Sequence, residues 1–249
     1  MHHIVLLAAA GLLAGAMNAV AGGGSFVTFP AMVAAGLPPV IANASSTVAL
    51  FPGTMASAFA YRSEFTHIAD MRLGVMVPIS VAGGLAGAVM LIVTPARLFD
   101  VVIPFLLLLA TLIFAFGARA GLVLHRVARV GRPTVLAMQF LVAVYGGYFG
   151  GAVGLIMMAT WSLLTVSANL KAMAPARVLL VSATNGAAVL WFIAAGAVRW
   201  PEALAMLGTS VVGGYLGGRL ARWLPAATVR GFVVVLTATV TAVFFARAM

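Results

Sequence analysis

Cysteine is missing from this chain of 249 residues, and acidic side chains are nearly missing, since Asp and Glu together number 4. The lack of thiols excludes disulfides, iron–sulfur clusters and cysteine-ligated zinc. Charged residues make up 7% of the chain, whereas a soluble globular domain has about 25%. This shortage excludes an ordinary cytosolic enzyme, and the hydrophobic content of 64% excludes a disordered tail.

Long apolar runs dominate the sequence instead. Six stretches of about 20 apolar residues carry few or no charges, and as helices each spans roughly 30 Å of hydrocarbon. They cover residues 41–61, 73–93, 98–118, 174–196, 201–218 and 227–246. The N-terminal run is predicted to be a further membrane segment and not a signal peptide, because no Lys or Arg precedes it. The sequence therefore predicts an all-α polytopic membrane protein.

The charge balance is strongly basic, with 14 Lys and Arg and a net charge of +10. Almost all of these basic residues lie between the apolar runs, where positive charge is typical of loops on the inner side of a membrane. We therefore expect membrane lipids, and not nucleic acid, to be their partners. The four acids lie at or near segment ends, so no carboxylate proton relay is predicted within the bilayer. They are Glu64, Asp70, Asp100 and Glu202.

Two halves of the chain resemble each other. Residues 80–96 match residues 210–226 at an offset of 130, and the glycine-interrupted segments that begin at Ala14 and Gly146 match at an offset of 132. Such internal repeats are common in transporters. The predicted organisation is a first membrane repeat over 1–124, a basic loop over 125–133 and a second repeat over 134–249. Paired glycines four residues apart in each half (at 83 and 87, and at 213 and 217) predict close helix packing.

The glycine-interrupted segments, about 4–36 and 134–168, are either single long helices or hairpins. Single helices divide the basic residues 8 to 6 between the two sides of the membrane, whereas hairpins divide them 11 to 3. The positive-inside rule favours the hairpins. Each half is then predicted to have one re-entrant hairpin followed by three spans, with the halves inverted and both termini outside. The long-helix alternative leaves eight spans.

The helix breaks are the predicted substrate site, because exposed backbone groups inside a bilayer need protein or water around them. The breaks are predicted at Gly22, Gly23 and Gly24 and at Gly150, Gly151 and Gly154. Glycine permits positive φ and close approach, so a β-branched residue at Gly23 or Gly24 is expected to abolish function. Ser25 is predicted to be the N-cap of the next helix, whose positive end attracts anions. Close helix packing is the alternative explanation for each cluster.

Polar residues on the helices that follow complete the predicted site. They are Asn43, Ser45 and Ser46 in the first half, and Arg177 and Asn185 in the second. An inward-facing Arg177 is a suitable counter-ion for an acidic substrate, although the same side chain can instead extend to the interface. No serine–histidine–acid set, phosphate-binding loop or metal-ligand spacing is present. We therefore expect no catalysis, no cofactor and no metal.

The first half resembles the opening of the TauE/SafE sulfite-exporter family, also called toluene-sulfonate uptake permease-like. The likeness rests on Gly15, the run Gly22–Gly24, Pro30, Gly36, Ala42, Ser45 and Tyr61. The second half is similar over YGGYFGGAVGLIMM and over Ala176, Asn185, Gly196, Val198 and Trp200. This resemblance implies a bacterial inner-membrane transporter for small organic or inorganic anions such as sulfite and sulfonates. A structural or assembly protein of the membrane is the alternative.

Overall fold

The computed structural model describes residues 2–21, 23–63, 72–124, 131–164, 173–220 and 226–248, and these residues form ten helices and no strand. The all-α prediction is confirmed. The first half holds α1 (His2–Ala21), α2 (Ser25–Ala34), α3 (Pro39–Ala60), α4 (Leu73–Val93) and α5 (Ala96–Leu124). The second half holds α6 (Arg132–Tyr148), α7 (Val153–Leu164), α8 (Ala174–Ala194), α9 (Trp200–Leu220) and α10 (Ala226–Ala248).

Local sequence explains two of the sharpest helix ends. After α2, Gly36 has φ of 92°, and the amides of Gly36 and Leu37 reach back to the carbonyls of Val33 and Met32. After α8, Gly196 has φ of 67° and the same pair of bonds forms. Both ends are Schellman motifs, in which a left-handed glycine caps the last free carbonyls. These turns determine where α3 and α9 begin.

Both glycine-interrupted segments fold back on themselves. The indole Nε1 of Trp161 on α7 donates to Oε1 of Gln139 on α6 over 3.0 Å, although the residues are 22 positions apart. A continuous helix would separate them by about 33 Å. In the first segment, a Cβ at Gly24 would lie 2.8 Å from the carbonyl oxygen of Ala14. Both segments therefore form helical hairpins and not single long helices, while the side of the membrane from which each hairpin enters stays a prediction.

The arms of the hairpins differ in length. With 10 residues in α2 and 12 in α7, the second arms reach about 15 Å and 18 Å, which is too short to cross a bilayer. With 20 residues, the first arm α1 reaches about 30 Å.

The halves interlock, because the long arm of each hairpin packs on a helix of the other half. On α9, a Cβ at Gly213 would lie 1.9 Å from the carbonyl oxygen of Leu12 on α1. On α4, a Cβ at Gly87 would lie 2.0 Å from the carbonyl oxygen of Val144 on α6. Backbones this close require glycine, and the close packing predicted for these glycine pairs is confirmed. The division of the chain into two repeats stays a prediction.

Three helical stretches among the described residues are long and apolar enough to cross a membrane: Leu73–Val93, Ala96–Ile113 and Ala174–Ala194. The other three predicted spans coincide with α3, α9 and α10. Large apolar side chains cover the outer surface of the bundle, including Leu190, Val93 and Phe59, which are 72%, 70% and 68% exposed. A soluble monomer rarely exposes so much apolar surface.

Glycine packing on α9 gives a direct stability prediction. Gly213→Ala should lower the free energy of unfolding by about 1–3 kcal/mol, because its methyl group collides with the backbone of α1. Gly208→Ala is the matched control on the same helix, since no atom lies within 4 Å of its Cβ position. Alanine is the better helix former, so this control should be neutral or slightly stabilising. Thermal unfolding of the detergent-solubilised variants measures both, and equal midpoints would contradict the packing.

Candidate functional site

A cavity lies between the two hairpins and the paired helices α3 and α8. Its lining from the first half is Asn18, Ser25, Thr47, Leu50, Thr54 and Ser57. Its lining from the second half is Gly150, Val153, Gly154, Arg177, Val178, Val181 and Asn185. The space open to the centres of water molecules is about 100 Å³. Since a single water needs roughly 10–15 Å³ of such space, the cavity has room for several waters or one small solute.

Helices α3 and α8 run antiparallel along the cavity. The hydroxyl of Ser182 on α8 donates to the carbonyl of Thr54 on α3 over 3.0 Å. Four residues further along α8, a Cβ at Gly186 would lie 3.2 Å from the ring of Phe51. As residue numbers increase along α8, the numbers of the facing residues on α3 therefore decrease. The start of α8 lies beside the end of α3.

This arrangement gives the cavity a mouth and a floor. Ser57 near the end of α3 is exposed, and Arg177 in the first turn of α8 lies at the same end. Thr47 and Asn185 lie at the other end, where a Cβ at Gly150 would be 3.5 Å from the Thr47 hydroxyl. The ten positions from Thr47 to Ser57 extend about 15 Å along α3. The cavity therefore reaches from the helix breaks to the surface.

Arg177 is the one charged residue among the described residues that line the cavity. Its stem rests on the second hairpin, since a Cβ at Gly154 would lie 3.4 Å from Cδ of Arg177. In the described part of the chain, the one ion pair is Arg199 with Glu202 at 3.4 Å, far along the sequence from the cavity lining. The guanidinium of Arg177 thus contributes a positive charge without a carboxylate from the described residues.

Asn185 presents an unpartnered polar atom. Its side-chain Oδ1 is buried and has no hydrogen-bond partner among the described residues. Buried polar atoms are nearly always paired, so an exception inside a cavity is a place where solute or water completes the bonding. An amide side chain supplies two donors and an acceptor, and turning the amide exchanges them. Asn185 is therefore suited to bind a polar solute.

The second break is covered by protein hydrogen bonds. Gly150 and Ala152 have φ of 74° and 57°, so the chain leaves helical geometry there. The amide of Asn43 on α3 donates to the carbonyl of Tyr148 over 3.0 Å, and the hydroxyl of Tyr145 donates to the carbonyl of Gly151 over 2.9 Å. These bonds replace those that the broken helix loses, as a bilayer environment requires.

The first break differs from its prediction in two ways. Gly24 is the N-cap of α2 with φ of −57°, so Ser25 is the first residue of the helix and its predicted N-cap role is wrong. Positive φ is likewise wrong for Gly23 and Gly24, while Gly22 lies outside the described residues. Gly24 is needed for space beside Ala14 instead. A Cβ at Gly23 would meet its nearest neighbour, the Phe26 ring, at an ordinary 3.4 Å.

The structure brings part of the predicted set together. The predicted residues that line the cavity are Ser25, Gly150, Gly154, Arg177 and Asn185. The other described members of the set lie outside that lining: Gly23, Gly24, Asn43, Ser45, Ser46 and Gly151. Ser45 accepts a hydrogen bond from the backbone N–H of Arg199 over 2.9 Å, and Ser46 shares one with Thr28. Asn43 and these serines bind protein groups in this conformation.

The predicted site set lacks Asn18, Thr47, Thr54 and Ser57, which line the cavity. Three of them lie on α3 at spacings of seven and three positions, which places them on one helical face. That polar face was the available signal. Asn18 is a single amide in the apolar run of α1, and its position three residues before the end of α1 at Ala21 was its only signal.

A family model described as "Sulfite exporter TauE/SafE" matches residues 7–244. The "Probable membrane transporter protein YfcA" of Escherichia coli (strain K12) is 28% identical over 232 residues, which are 93% of this chain and 85% of that protein. A "Probable membrane transporter protein" of Haemophilus influenzae is 27% identical over 245 residues, covering 96% and 93% of the two chains. The "Probable membrane transporter protein ORF9" of Sinorhizobium sp is 27% identical over 236 residues, covering 95% and 90%. No solved structure matches the chain significantly.

Proposed function

Because the chain belongs to the sulfite exporter TauE/SafE family of membrane transporters, we propose that it carries a small anion across the bacterial inner membrane. Sulfite and sulfonates are the candidate substrates. Transport proceeds by alternating access at the cavity between the two helix breaks. The protein crosses the membrane several times, with the hairpins entering from opposite faces as inverted repeats.

The charge of the cavity is the observation that carries this proposal. Among its described lining residues, Arg177 provides a positive charge and no carboxylate opposes it. Hydroxyl and amide groups provide further donors, among them Ser25 and Asn185. Guanidinium groups bind planar or tetrahedral oxyanions through two parallel hydrogen bonds, which favours an oxyanion over other small solutes.

Two helix starts add to this preference. Ser25 begins α2 and Val153 begins α7, and both residues line the cavity. The start of a helix carries roughly half a unit of positive charge because its first N–H groups lack helical partners. In a transporter, broken helices commonly direct such ends at the charged group of the substrate. The two hairpins thus supply positive potential from opposite halves of the chain.

The position of the cavity mouth indicates the side of the membrane to which the cavity opens. Ser57 and Arg177 lie at the ends of α3 and α8 that lead to the predicted inner loops, which carry Arg62, Arg72 and Lys171. By the positive-inside rule this side is cytoplasmic. The described conformation is therefore inward-open in this proposal, and an outward-open conformation completes the cycle.

Transport into proteoliposomes tests the proposal. Purified protein reconstituted in lipid vesicles should take up radiolabelled sulfite above the level of empty vesicles, with saturation and with competition by methanesulfonate. Choline, a cation of small size, should not compete. Assays run with the gradient in each direction detect uptake and export alike. Preferential movement of choline would contradict an anion transporter, and no movement of any solute would favour the structural alternative.

The proposed topology predicts that both termini lie outside. Alkaline phosphatase fused after Met249 should be active, because this enzyme needs the oxidising periplasm. The same reporter placed in the basic loop, after Gly131, should be inactive since that loop is cytoplasmic in this topology. A fluorescent protein that matures only in the cytoplasm should give the opposite pattern, with fluorescence after Gly131 and none after Met249. Fluorescence without phosphatase activity at Met249 would refute the arrangement of six spans and two re-entrant hairpins.

A further inference from the structure

The first half of α3 holds three polar side chains that face away from solvent. Asn43, Ser45 and Ser46 are 2%, 0% and 1% exposed. Each one is bonded to a different element of the fold, as described above: Asn43 to the end of α6, Ser45 to the backbone before α9, and Ser46 to α2. These three side chains and their partners are here named the α3 latch.

The α3 latch lies directly beyond the floor of the cavity. Lining positions on α3 run from Thr47 to Ser57, and Asn43 lies one helical turn before Thr47. The same two residues are also joined, since the Thr47 hydroxyl donates to the Asn43 carbonyl over 2.9 Å. A solute that moves from the mouth through the floor therefore meets the latch next.

We propose that the α3 latch is the gate on the side opposite the cavity mouth, closed in this conformation and opened when the solute is exchanged there. This proposal rests on the transport function proposed above. Two of the three latch bonds join the halves of the chain, since Asn43 and Ser45 are in the first half and their partners Tyr148 and Arg199 are in the second. Opening on this side moves the end of α6 and the backbone before α9 away from the first half of α3.

The polar character of the latch supports a gate over a permanent seal. Apolar side chains would close this side of the protein without needing any partner, as they do in the neighbouring core at Phe29 and Met32. Polar groups are costly to bury unless paired, but they are well solvated once water reaches them. The hydrogen-bonding groups of the three latch side chains have partners in both conformations. Protein groups bind them when the gate is closed, and water or solute binds them when it is open.

A disulfide across the latch tests whether it must move. The 2.9 Å hydrogen bond from the Arg199 backbone N–H to the Ser45 hydroxyl shows that these two residues are neighbours. The chain has no native cysteine, so the double variant Ser45→Cys/Arg199→Cys contains one pair of thiols. In proteoliposomes, its oxidised form should lose at least about tenfold in radiolabelled sulfite transport, and reductant should restore the rate. Equal rates in both forms would overturn the proposal.

The matched control joins two helices away from the latch and cavity. Thr111 on α5 and Thr241 on α10 are buried, and their hydroxyls are 3.2 Å apart. The oxidised double variant Thr111→Cys/Thr241→Cys should transport sulfite at the rate of its reduced form. Loss of transport in this control as well would contradict a movement confined to the latch side.

A labelling experiment decides the same question without transport. The single variant Ser46→Cys should react slowly with a hydrophilic maleimide in detergent, since residue 46 is 1% exposed. Adding Asn43→Ala should speed this reaction at least about tenfold. Ser80→Cys is the control, because Ser80 is 0% exposed on α4. Unchanged labelling at position 46, or equal acceleration at positions 46 and 80, would overturn the gate. Absence of transport of every solute tested by the parent protein would refute the transport function alone.

Discussion

Replacing Arg177 by glutamine should lower kcat/KM for sulfite transport about 100-fold, which corresponds to roughly 2.7 kcal/mol. The guanidinium is the charge that the described lining of the cavity offers to an anion, and no described carboxylate there compensates for it. A charge-assisted hydrogen bond that is partly removed from water is worth more than a neutral one. Initial rates over a range of sulfite concentrations in proteoliposomes measure the change.

Two substitutions separate the role of Arg177 from a general effect of charge. Arg97→Gln removes the same charge from an exposed position at the start of α5 and should leave kcat/KM within about twofold. Arg177→Lys keeps the charge but loses the two-pronged donor geometry, so its rate should be intermediate. If Arg177→Gln and Arg97→Gln have equal effects, Arg177 only helps to set the orientation of the protein in the membrane.

Valine at Gly24 should abolish transport, whereas alanine at Gly23 should leave most of it. A Cβ at Gly24 would lie 2.8 Å from the Ala14 carbonyl and 3.3 Å from Leu50, which lines the cavity. Branching at Cβ adds a second atom to this collision and forces α2 away from α1. The Cβ of Gly23→Ala would have ordinary contacts instead, the nearest at 3.4 Å.

Uptake of radiolabelled sulfite measures this difference, with size-exclusion chromatography as the check that each variant is inserted and folded. Gly24→Val should elute as a folded protein while its uptake falls to the level of empty vesicles. Normal transport by Gly24→Val would show that the first hairpin needs no close contact with α1. Complete loss in Gly23→Ala would contradict the geometry of the break.

Sequence reasoning reached the helical hairpins because membrane charge asymmetry depends on the number of crossings. Fourteen basic residues were enough to distinguish two arrangements. Arg177 and Asn185 belong to the predicted site on separate grounds, because a charge or an amide in an apolar helix needs a polar environment.

The role of each individual glycine and polar residue could not be predicted from the sequence, for a physical reason. Glycine is required equally for positive φ, as at Gly150, and for close approach, as at Gly24, and the residue type is the same in both cases. A buried asparagine likewise needs a partner whether that partner is solute or backbone. Asn43 has the carbonyl of Tyr148, whereas Oδ1 of Asn185 has no partner among the described residues. Only the spatial neighbours of each side chain, which the structure gives, distinguish the two asparagines.

Direct observation of a bound oxyanion is the sharpest test of the cavity. Selenite has the shape and charge of sulfite and contains an anomalous scatterer. Crystals of the protein soaked in saturating selenite should show one anomalous peak inside the cavity, between the guanidinium of Arg177 and the amide of Asn185. The peak should be absent from crystals of Arg177→Gln treated in the same way. Selenite bound only outside the cavity, or no peak between those two side chains at saturation, would contradict an anion site between the helix breaks.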